Sequence, residues 1–420
     1  MHDYADGAYS HAANERDDRG PDLEPASRER PGAPVSAGLE AAAVVAGGPG
    51  SGATAETQSR PKRQTDAGER IRVAIIGATG YAGAELVRLL TRHPNVEIVG
   101  LVGRGRDHEP IGATHAHLAT TELEVDAALP AADAVFLALP HGAAASMVPD
   151  IVASGAAVID LGPDFRLGDP ADYPRWYRFE HPRPDLLATA VYGLPELHRD
   201  ELRALVDAPT AIVGAPGCYP TATLLALAPL ARAGLIGDLV VDAKSGVSGA
   251  GREAKPELMF GEVNESVKAY GLGGHRHVAE IEQELARLGA ASGLGADANP
   301  GATRVDFLPH LIPMTRGILS TCHVRPTRPV SQAELDELYA AAYADEPFVT
   351  VVPAPPATKH VTGSNHARVH ATLDERIGRI IAIGVVDNLV KGAAGQAIQA
   401  FNVVHGLPET AGLEQLPLAP

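Results

Sequence analysis

The sequence predicts an α/β domain with a parallel sheet, followed by an α+β domain with a mainly antiparallel sheet. In the first half, short apolar runs alternate with segments of helical spacing, which is the pattern of βαβ units. In the second half, residues 305–326 and 367–388 alternate between apolar and polar positions, as antiparallel strands with one solvated face do. The 420 residues, 45% of them hydrophobic, are enough to form two cores.

Regular structure in the first half is expected to begin near residue 71. VAIIGA predicts a strand, GAELVRLLTRH predicts a helix with Leu86, Leu89 and Leu90 on one side, and VEIVGLVG predicts the next strand. Two further apolar runs, at 134–140 and 156–162, end in proline or glycine, and we expect them to be strands covered on both faces. A strand–helix–strand order of this kind requires a parallel sheet.

The second half combines predicted helices with the alternating strands. TATLLALAPLARAGL predicts a buried helix, LVVDAKSGVSG a strand, and LVKGAAGQAIQAFNVVHG the final helix. In SQAELDELYAAAYAD, Ser331 stands three residues ahead of Glu334, which is a capping-box pattern. HRHVAEIEQELARL predicts a helix with one apolar stripe. The stripe consists of Val278, Ile281, Leu285 and Leu288.

Composition and charge exclude several classes of protein. The formal net charge of −17 argues against nucleic acid as a partner, because phosphate binding needs a basic face. It also means that local Arg or Lys clusters must hold any anionic substrate. No run of about 18 apolar residues predicts a membrane span, and the acidic first residues lack the apolar core of a secretory signal. We therefore expect a cytoplasmic protein.

Residues 1–69 differ from the rest of the chain. They are rich in Ala, Gly, Pro and charged residues and show little periodicity. Such a segment cannot bury enough apolar surface to offset its chain entropy, so we expect it to be disordered. A regulatory tail and a mis-assigned translation start are the alternatives.

A glycine-rich turn joins the first predicted strand to its helix. In GATGYAG, glycines permit a tight turn and let phosphate oxygens approach the N–H groups of the helix N-terminus. The strand–turn–helix context favours a dinucleotide site of the Rossmann type over a turn that is merely tight. The residues of this turn expected at the cofactor are Gly77, Thr79, Gly80, Tyr81, Ala82 and Gly83.

The end of the second strand indicates which dinucleotide binds. An NAD site usually offers a carboxylate to the ribose about 20 residues beyond the turn, whereas Arg104 and Arg106 follow the strand here. Two arginines favour the 2′-phosphate of NADP. The alternatives are that both are solvated loop residues, or that Asp107 turns towards the ribose and reverses the preference.

Cys218, in GAPGCYPTAT, is one of two cysteines. Pro220 suits the first turn of a helix, so we expect the thiol at or just before a helix N-terminus. The partial positive charge there would lower the thiol pKa from its usual value of about 8.5, and free N–H groups would hold an oxyanion. A catalytic nucleophile and a small buried hydrophobe both fit this pattern. Cys322 lies in the alternating segment ILSTCHV, and we expect it to be an ordinary core thiol.

A thiolate nucleophile needs a partner for proton transfer. His275 and His277 stand together in GGHRHVAEIEQEL at a predicted helix start, although both could equally be surface residues. His-x-His pairs also occur at metal sites, and THAHL contains another pair, His115 and His117. No acidic or cysteine ligand stands at a matching spacing, so we expect no metal.

Several segments, in order along the chain, resemble the N-acetyl-γ-glutamyl-phosphate reductase family. The combination of PGCYPT, HRH and PHLIPMTRGI resembles this family more closely than the related aspartate-semialdehyde dehydrogenases. The chain departs from the family in GPDFRL, where a Ser-Ala pair is common before DFRL, and at Ala279, where proline is common. The segments, which span about residues 71–408, are GATGYAGAEL, LALPHG, VIDLGPDFRL, YGLPEL, GAPGCYPTAT, AKSGVSGAG, GHRHVAEIEQEL, FLPHLIPMTRGILST and DNLVKGAAGQAIQ.

The resemblance implies NADPH-dependent reduction of N-acetyl-γ-glutamyl phosphate to N-acetyl-L-glutamate 5-semialdehyde and phosphate, a step of arginine biosynthesis. It implies that Cys218 forms a thioester with the acyl group and that His277, rather than His275, transfers the proton. It also implies an NADP-binding domain of residues 70–217 and 388–420. Residues 218–387 would form a catalytic domain similar to the C-terminal domain of glyceraldehyde-3-phosphate dehydrogenase.

Further site residues follow from their positions in the resembling segments and from their charge. A surface role is the alternative for each charged residue among them. At the cofactor we expect Leu139, Pro140, Ser245, Gly246 and Asn388. At the substrate we expect Lys244, Ser248, Arg252, His275, Arg276 and Arg316, of which Arg276 and Arg316 are candidates for binding a carboxylate bidentately.

Three other functions fit parts of the sequence. Aspartate-semialdehyde dehydrogenase and aminoadipyl-phosphate reductase perform the same chemistry on other acyl chains, and a non-catalytic NADP-binding regulator would need the glycine turn alone. The partners that we expect are an acyl-phosphate substrate, NADP(H), and further copies of the chain in a dimer or tetramer. We expect neither nucleic acid nor membrane as a partner.

Overall fold

The computed structural model describes residues 70–105, 107–291 and 304–418. Two β-sheets with their helices make up these ranges. No helix in the described ranges is long and apolar enough to cross a membrane. The predictions for residues 1–69 and for Arg106 lie outside the described residues.

The first sheet consists of eight strands. In chain order β1 to β8 are Ile71–Ile76, Val96–Val102, Glu109–Pro110, Glu124–Asp126, Ala134–Leu137, Ala157–Asp160, Val191–Tyr192 and Ile212–Gly214. The helices among them, α1 to α6, are Tyr81–Leu90, Ile111–Thr114, Ala144–Ala153, Asp172–Trp176, Pro184–Leu187 and Pro195–Ala204. The strands are ordered β3-β4-β2-β1-β5-β6-β8-β7, and all neighbours are parallel except β3 and β4.

The order of strands reverses at β1, which lies between β2 and β5. The connections that leave β1 and β5 therefore diverge and open a crevice at the carboxyl ends of the strands, where ligands of this architecture bind. The glycine turn follows β1 and meets the segment after β5. A Cβ added to Gly77 would lie 2.3 Å from the carbonyl oxygen of Ala138, so only glycine fits there.

The second sheet consists of seven strands. In chain order β9 to β15 are Ile236–Gly246, Lys268–Ala269, Val305–Ile312, Ile318–Pro326, Val349–Val351, Ala367–Asp374 and Arg379–Val386. The remaining helices, α7 to α11, are Cys218–Arg232, Phe260–Val263, His277–Ala291, Gln332–Tyr343 and Gly395–Val404. The order β10-β11-β9-β12-β15-β14-β13 contains two parallel pairs, β11 with β9 and β14 with β13. The predicted fold class is confirmed, with these two pairs as exceptions to the antiparallel arrangement.

Helix α7 forms the centre of the second core. All of its residues from Tyr219 to Ala231 are buried, and it packs with α9 and α10 on one face of the second sheet. The other face carries half-buried side chains that alternate with core residues along each strand. On β9 these are Val240, Asp242 and Lys244.

The last helix, α11, packs on the first sheet next to α1. The rings of Phe401 and Phe136 lie 5.4 Å apart, and Asn402 Oδ1 lies 2.9 Å from His93 Nε2. The chain therefore returns to the first sheet after completing the second.

Two local details differ from the sequence-based predictions. The segment predicted as the start of the final helix is a π-helical turn, Val390–Ala394, and the α-helix begins at Gly395. Ser331 accepts a hydrogen bond from the N–H of Glu334, as expected for an N-cap, but the Glu334 carboxylate pairs with Arg328 at 2.5 Å.

A buried ion pair joins the π-helical turn to α6. The Lys391 ammonium donates to Glu196 Oε1 at 2.5 Å and to Gln399 Oε1 at 2.6 Å. Neither the Lys391 nor the Glu196 side chain has exposed surface. A buried ammonium is costly without its carboxylate, so this pair constrains how the C-terminal segment packs on α6.

Replacing Glu196 by alanine should lower the free energy of unfolding by about 3–5 kcal/mol, because the Lys391 ammonium would stay buried and unpaired. Chemical denaturation measures this change. Asp200→Asn is the matched control, since the Asp200–Arg203 pair is exposed, and it should leave the transition midpoint unchanged. Equal shifts for the two variants would contradict the role of the buried pair.

Candidate active site

Cys218 is the first residue of α7, and residues 215–217 connect it to the end of β8. Gly217 is the N-cap, and no side chain caps the helix. Pro220 lies in the first turn, where its missing N–H leaves no helical hydrogen bond unmade. The predicted placement of Cys218 at a helix N-terminus is confirmed.

The backbone of the turn before α11 approaches Cys218 closely. A Cβ added to Gly392 would lie 2.8 Å from the Cβ of Cys218, so a larger residue at position 392 would displace the cysteine. Cys218 itself is half-buried, whereas Cys322 is fully buried in the second core, as predicted for a structural thiol.

His277 is the first residue of α9, and its ring packs against the residue that precedes Cys218. A Cβ added to Gly217 would lie 2.5 Å from His277 Nε2. The ring is buried, and its Nδ1 has no hydrogen-bond partner among the described residues. The fold thus brings an imidazole with an unused nitrogen to the segment that carries the thiol.

His275 takes a different place from His277. Its Nδ1 accepts a hydrogen bond of 3.2 Å from the N–H of His277, which satisfies one of the free donors at the start of α9. Burial and the neighbouring Arg276 lower the pKa of His275 to about 4. This ring is therefore neutral at physiological pH.

A buried ion pair that the sequence patterns did not reveal lies directly behind Cys218. Arg166 Nη1 donates to Glu280 Oε1 at 3.0 Å, and both side chains are buried. Arg166 Nε also donates to the carbonyl of Ala215 at 2.7 Å, and Glu280 Oε2 accepts from the N–H of Gly217 at 2.9 Å. The pair therefore fixes the segment before Cys218 through both a carbonyl and an N–H group.

The sequence contained a signal for half of this pair. Glu280 and Glu284 interrupt the apolar face of α9, and both are as buried as Ile281 and Leu285 beside them. A carboxylate on a buried helix face needs a cation or several donors. This pattern predicts an ion pair, but it does not identify Arg166, which lies more than a hundred residues earlier in the chain.

The Cys218 thiol is less acidic than its helix position predicts. Burial raises the pKa of Cys218 to about 11, and the effects of Arg166, the Tyr219 N–H and Arg276, which lower it, are smaller. The N–H of Tyr219 at the helix start lowers this pKa, as predicted, but the prediction of a net pKa below the usual value is wrong for the free protein. Desolvation of the thiolate outweighs the partial charge of the helix, so the resting group is a thiol at neutral pH.

The imidazole next to it is also neutral. Burial lowers the pKa of His277 well below its usual value, and His275, Arg276 and Arg166 lower it further. A neutral imidazole can accept a proton from a neutral thiol, and the imidazolium so formed can return it. Both groups are therefore neutral in the free protein.

The glycine turn leaves the N-terminus of α1 open. Gly77 has a φ of +88°, which favours glycine, and a Cβ added to Gly83 would lie 2.2 Å from the carbonyl oxygen of Gly77. Gly80 is the N-cap, no side chain caps the helix, and its first turn contains no acidic residue. The first N–H groups of α1 are suited to a phosphate. The other residues predicted here, Thr79, Tyr81, Ala82, Leu139 and Pro140, lie in this turn and in the segment after β5.

The end of β2 lies against the glycine turn. The N–H of exposed Arg104 donates to Thr79 Oγ1 at 3.2 Å. Asp107 faces elsewhere, since its Oδ1 accepts from the N–H of Ala127 at 2.6 Å. The backbone of Arg104 is therefore held at the glycine turn, whereas the Asp107 carboxylate faces away from it.

The His-x-His segment at 115–117 also adjoins the glycine turn. His115 Nε2 lies 3.0 Å from the carbonyl oxygen of Thr79. Burial and, to a smaller degree, Arg252 lower the pKa of His115, so Arg252 lies on this side of the crevice. Within the described ranges, no three potential metal-ligating side chains cluster together.

Residues at the end of β9 are tied to the segment after β15. Asn388 Nδ2 donates to Ser248 Oγ at 2.9 Å, and Asn388 Oδ1 accepts from the N–H of Gly317 at 2.7 Å. Ser245 is buried and donates to the carbonyl of Gly246 at 2.9 Å. The Asn388 amide thus serves the protein itself and holds the predicted residues in place.

The cationic side chains predicted to bind substrate differ in whether they already form an ion pair with a carboxylate of the protein. Lys244 pairs with Asp242 at 2.6 Å. Arg252 and Arg276 are exposed, and neither makes an ion pair with a described residue. Arg276 is close enough to Cys218, His275 and His277 to lower their pKa values, after the larger effect of burial on each histidine.

Arg316 does not present a free guanidinium to a substrate. It donates to both carboxylate oxygens of Glu85, at 3.1 and 3.0 Å, and also lies 3.5 Å from Asp387 Oδ2. Glu85 belongs to α1 and is buried. Arg316 therefore links α1 to the second sheet, and its guanidinium already binds a carboxylate of the protein in a bidentate manner.

Two protein-family models match the chain. The one described as "Semialdehyde dehydrogenase, NAD binding domain" matches residues 72–205, and the one described as "Semialdehyde dehydrogenase, dimerisation domain" matches residues 218–388. The first match covers most of the first sheet, and the second begins at Cys218.

Curated relatives cover most of the chain. It is 48% identical to an N-acetyl-gamma-glutamyl-phosphate reductase of Heliobacterium modesticaldum, over 83% of this chain and 100% of that protein. The enzyme of the same name from Desulforudis audaxviator is 47% identical, over 82% and 98%. That from Geobacter metallireducens is 46% identical, over 83% and 100%.

Solved structures show the same fold at low identity. The structure of aspartate semialdehyde dehydrogenase II from Vibrio cholerae has a TM-score of 0.59 and 18% identity, covering 80% of this chain and 98% of that one. That of aspartate semialdehyde dehydrogenase with NADP from Candida albicans has a TM-score of 0.59 and 16% identity, covering 82% and 99%.

In the free protein, alkylation of Cys218 by iodoacetamide should accelerate with pH well beyond the usual thiol pKa of about 8.5, because a raised pKa keeps the thiolate fraction small until the pH approaches about 11. Cys218→Ser supplies the background, including any reaction of Cys322. A midpoint at or below the usual value would show that the helix N-terminus outweighs burial.

Proposed function

The chain belongs to the N-acetyl-γ-glutamyl-phosphate reductase family, and we propose that it catalyses the NADPH-dependent reduction of N-acetyl-γ-glutamyl phosphate to N-acetyl-L-glutamate 5-semialdehyde and phosphate, in arginine biosynthesis. The observation that carries this proposal is the thiol at the start of α7 with the His277 ring against its preceding residue. The substrate assignment rests on relatives that are 46–48% identical over at least 82% of the chain.

In the first step, Cys218 attacks the acyl carbon. The thiol proton passes to the neutral His277 imidazole, because the thiolate is the nucleophilic form. A carbon–sulfur bond forms, the bond from that carbon to the phosphate oxygen breaks, and phosphate leaves with the electron pair. The product is a thioester on Cys218.

NADPH, when bound, supplies the hydride that reduces the thioester. The acyl oxygen then carries negative charge, and the uncapped N–H groups at the start of α7 lie beside the sulfur as donors to it. The carbon–sulfur bond breaks as the aldehyde forms, and the departing thiolate recovers its proton from the His277 imidazolium.

The residues at the crevice fit this cofactor. The open N-terminus of α1, formed by Gly77, Gly80 and Gly83, suits the pyrophosphate. Arg104, beside Thr79, suits the 2′-phosphate. We assign the predicted residues Leu139, Pro140, Ser245 and Gly246 to the nicotinamide end of the crevice, and Asn388 to holding that end together.

The substrate brings a carboxylate and a phosphate to a chain of net charge −17. We assign Arg276 to the carboxylate, because it is exposed, unpaired among the described residues and acts on Cys218. Ser248 and Arg252, which follow β9, are assigned to the phosphate. The predicted residue Lys244 lies on the half-buried face of the second sheet and pairs with Asp242, so we do not assign it to the phosphate. We replace the substrate role of Arg316 by a positioning role, since Glu85 occupies its guanidinium.

We further propose that residues 70–217 and 388–420 form the cofactor domain and residues 218–387 the catalytic domain. The packing of α11 with α1 on the first sheet supports this division. The match of residues 218–388 to a dimerisation domain supports a homo-oligomer. We propose a dimer or tetramer that uses the half-buried face of the second sheet, and its cytoplasmic location stays a prediction.

The competing functions have weaker support. The likeness to aspartate semialdehyde dehydrogenases, at 16–18% identity, concerns the fold alone. A non-catalytic regulator would not need a thiol and a buried imidazole positioned by a buried ion pair. The kcat/KM values for the three acyl phosphates distinguish this function from reduction of aspartyl or aminoadipyl phosphate.

The wild type should reduce N-acetyl-γ-glutamyl phosphate with a kcat/KM well above those for β-aspartyl and aminoadipyl phosphates. Cys218→Ser should lower activity by about a thousandfold or more, because serine is a much weaker nucleophile without a strong base. Cys322→Ser is the matched control, since Cys322 lies in the second core, and it should remain active. Preference for β-aspartyl phosphate would refute the substrate assignment, and an active Cys218→Ser variant would refute the nucleophile.

Arg104→Ala should raise the KM for NADPH by about tenfold or more while changing the KM for NADH little, because only NADPH carries the 2′-phosphate. Steady-state kinetics with both cofactors measures this difference. Arg92→Ala is the control, since Arg92 is exposed beyond the opposite end of α1. Equal losses for the two cofactors would show that Arg104 does not read the 2′-phosphate.

A further inference from the structure

One buried hydroxyl near the candidate active site has no partner. Tyr177 follows α4 directly, and 5% of it is exposed. Its Oη is buried and makes no hydrogen bond with any described residue. The ring of Tyr173 lies against it at 5.6 Å between centroids, but the Tyr173 hydroxyl donates to the carbonyl of Asp164 at 2.7 Å. The fold uses one of these two hydroxyls and leaves the other free.

Tyr177 lies where the first sheet meets the start of α9. It belongs to the same apolar cluster as Ala279, which stands between His277 and Glu280 on that helix. The charged groups that act on the Tyr177 hydroxyl are Glu280, Arg166 and Arg276. These are the ion pair behind Cys218 and the unpaired arginine beside it.

None of these three groups accepts a hydrogen bond from Tyr177. Arginine has donors only. Glu280 Oε1 is bonded to Arg166, and its Oε2 already accepts from the Tyr192 hydroxyl at 3.0 Å and from the N–H of Gly217 at 2.9 Å. No described residue therefore accepts the Tyr177 proton, and two neighbouring guanidinium groups favour an anionic ligand as its acceptor.

The hydroxyl keeps its proton under physiological conditions. Burial raises the pKa of Tyr177, Glu280 raises it further, and Arg166 and Arg276 oppose this less strongly. A buried donor of this kind carries a desolvation penalty that a ligand acceptor would remove.

We propose that Tyr177 is a further substrate-binding residue, which donates a hydrogen bond to the carboxylate of the acyl substrate alongside Arg276. This assignment rests on the proposed function. The phosphate is attached to the carbon that reacts with Cys218, so its site adjoins the sulfur. The carboxylate lies further along the acyl chain, and Tyr177 with Arg276 forms a second cationic corner for it.

Two conservative variants separate binding from folding. Tyr177→Phe removes a hydroxyl whose proton has no acceptor among the described residues, so its thermal midpoint should change little. Tyr173→Phe, the matched control, removes the bond to Asp164 and should lower the thermal midpoint while leaving substrate KM unchanged. Both variants keep the stacked rings.

The kinetic test is aldehyde oxidation with NADP⁺ and phosphate, using N-acetylglutamate semialdehyde and 4-acetamidobutanal, which lacks the carboxylate. For Tyr177→Phe, kcat/KM for the semialdehyde should fall about 10- to 100-fold, mainly through KM, because the lost bond is to a charged group. For 4-acetamidobutanal, the variant and the wild type should not differ.

Each other outcome overturns the assignment in a recognisable way. If the wild type does not oxidise the semialdehyde, the proposed function falls and this inference falls with it. If the wild type oxidises it and Tyr177→Phe has the same KM, the inference alone falls. A raised KM for phosphate, or equal losses for both aldehydes, would place the hydroxyl at the phosphoryl group or at the thiol and overturn its role at the carboxylate.

Discussion

The buried ion pair between Arg166 and Glu280 sets the geometry on which the active site depends. It joins a segment after β6 to α9. Arg166 also donates to the carbonyl of Ala215, and Glu280 accepts from the N–H of Gly217. Cys218 follows directly, and His277 lies one helical turn before Glu280. Burying two charges is costly, and here several hydrogen bonds offset that cost, so displacement of either partner would move both the thiol and the imidazole.

Burial also sets the chemistry of the resting site. It raises the pKa of Cys218 and lowers that of His277, so both groups are neutral in the free protein. A thiol that stays protonated in the free protein reacts slowly with adventitious electrophiles. In the mechanism that we propose, the His277 imidazole generates the thiolate when an acyl group is in place. The thiol is therefore not permanently ionised, and this limits its reaction with molecules other than the substrate.

The sequence patterns predicted the sheets, the glycine turn, the helix start at Cys218 and the apolar stripe of α9, because each is a local matter of spacing and of glycine or proline positions. The same patterns predicted the partners of the charged side chains less well. Arg316 was expected at a substrate carboxylate, yet it binds Glu85 of α1, and the Glu280–Arg166 pair was not expected at all. Spacing shows that a residue is charged, but its partner depends on which distant segments the fold brings together.

The sequence by itself determined the fold class and the family, since strand and helix periods and short motifs are encoded within a few residues of each other. The tertiary structure alone decided which cations already have a carboxylate partner, which histidine packs against the residue before Cys218, and how acidic the Cys218 thiol is. Desolvation and ion pairing depend on the whole surroundings of a group, and the surroundings of Cys218 come from β8, α9 and the turn before α11. In GAPGCYPTAT the helix start is local, but the burial that governs its cysteine is not.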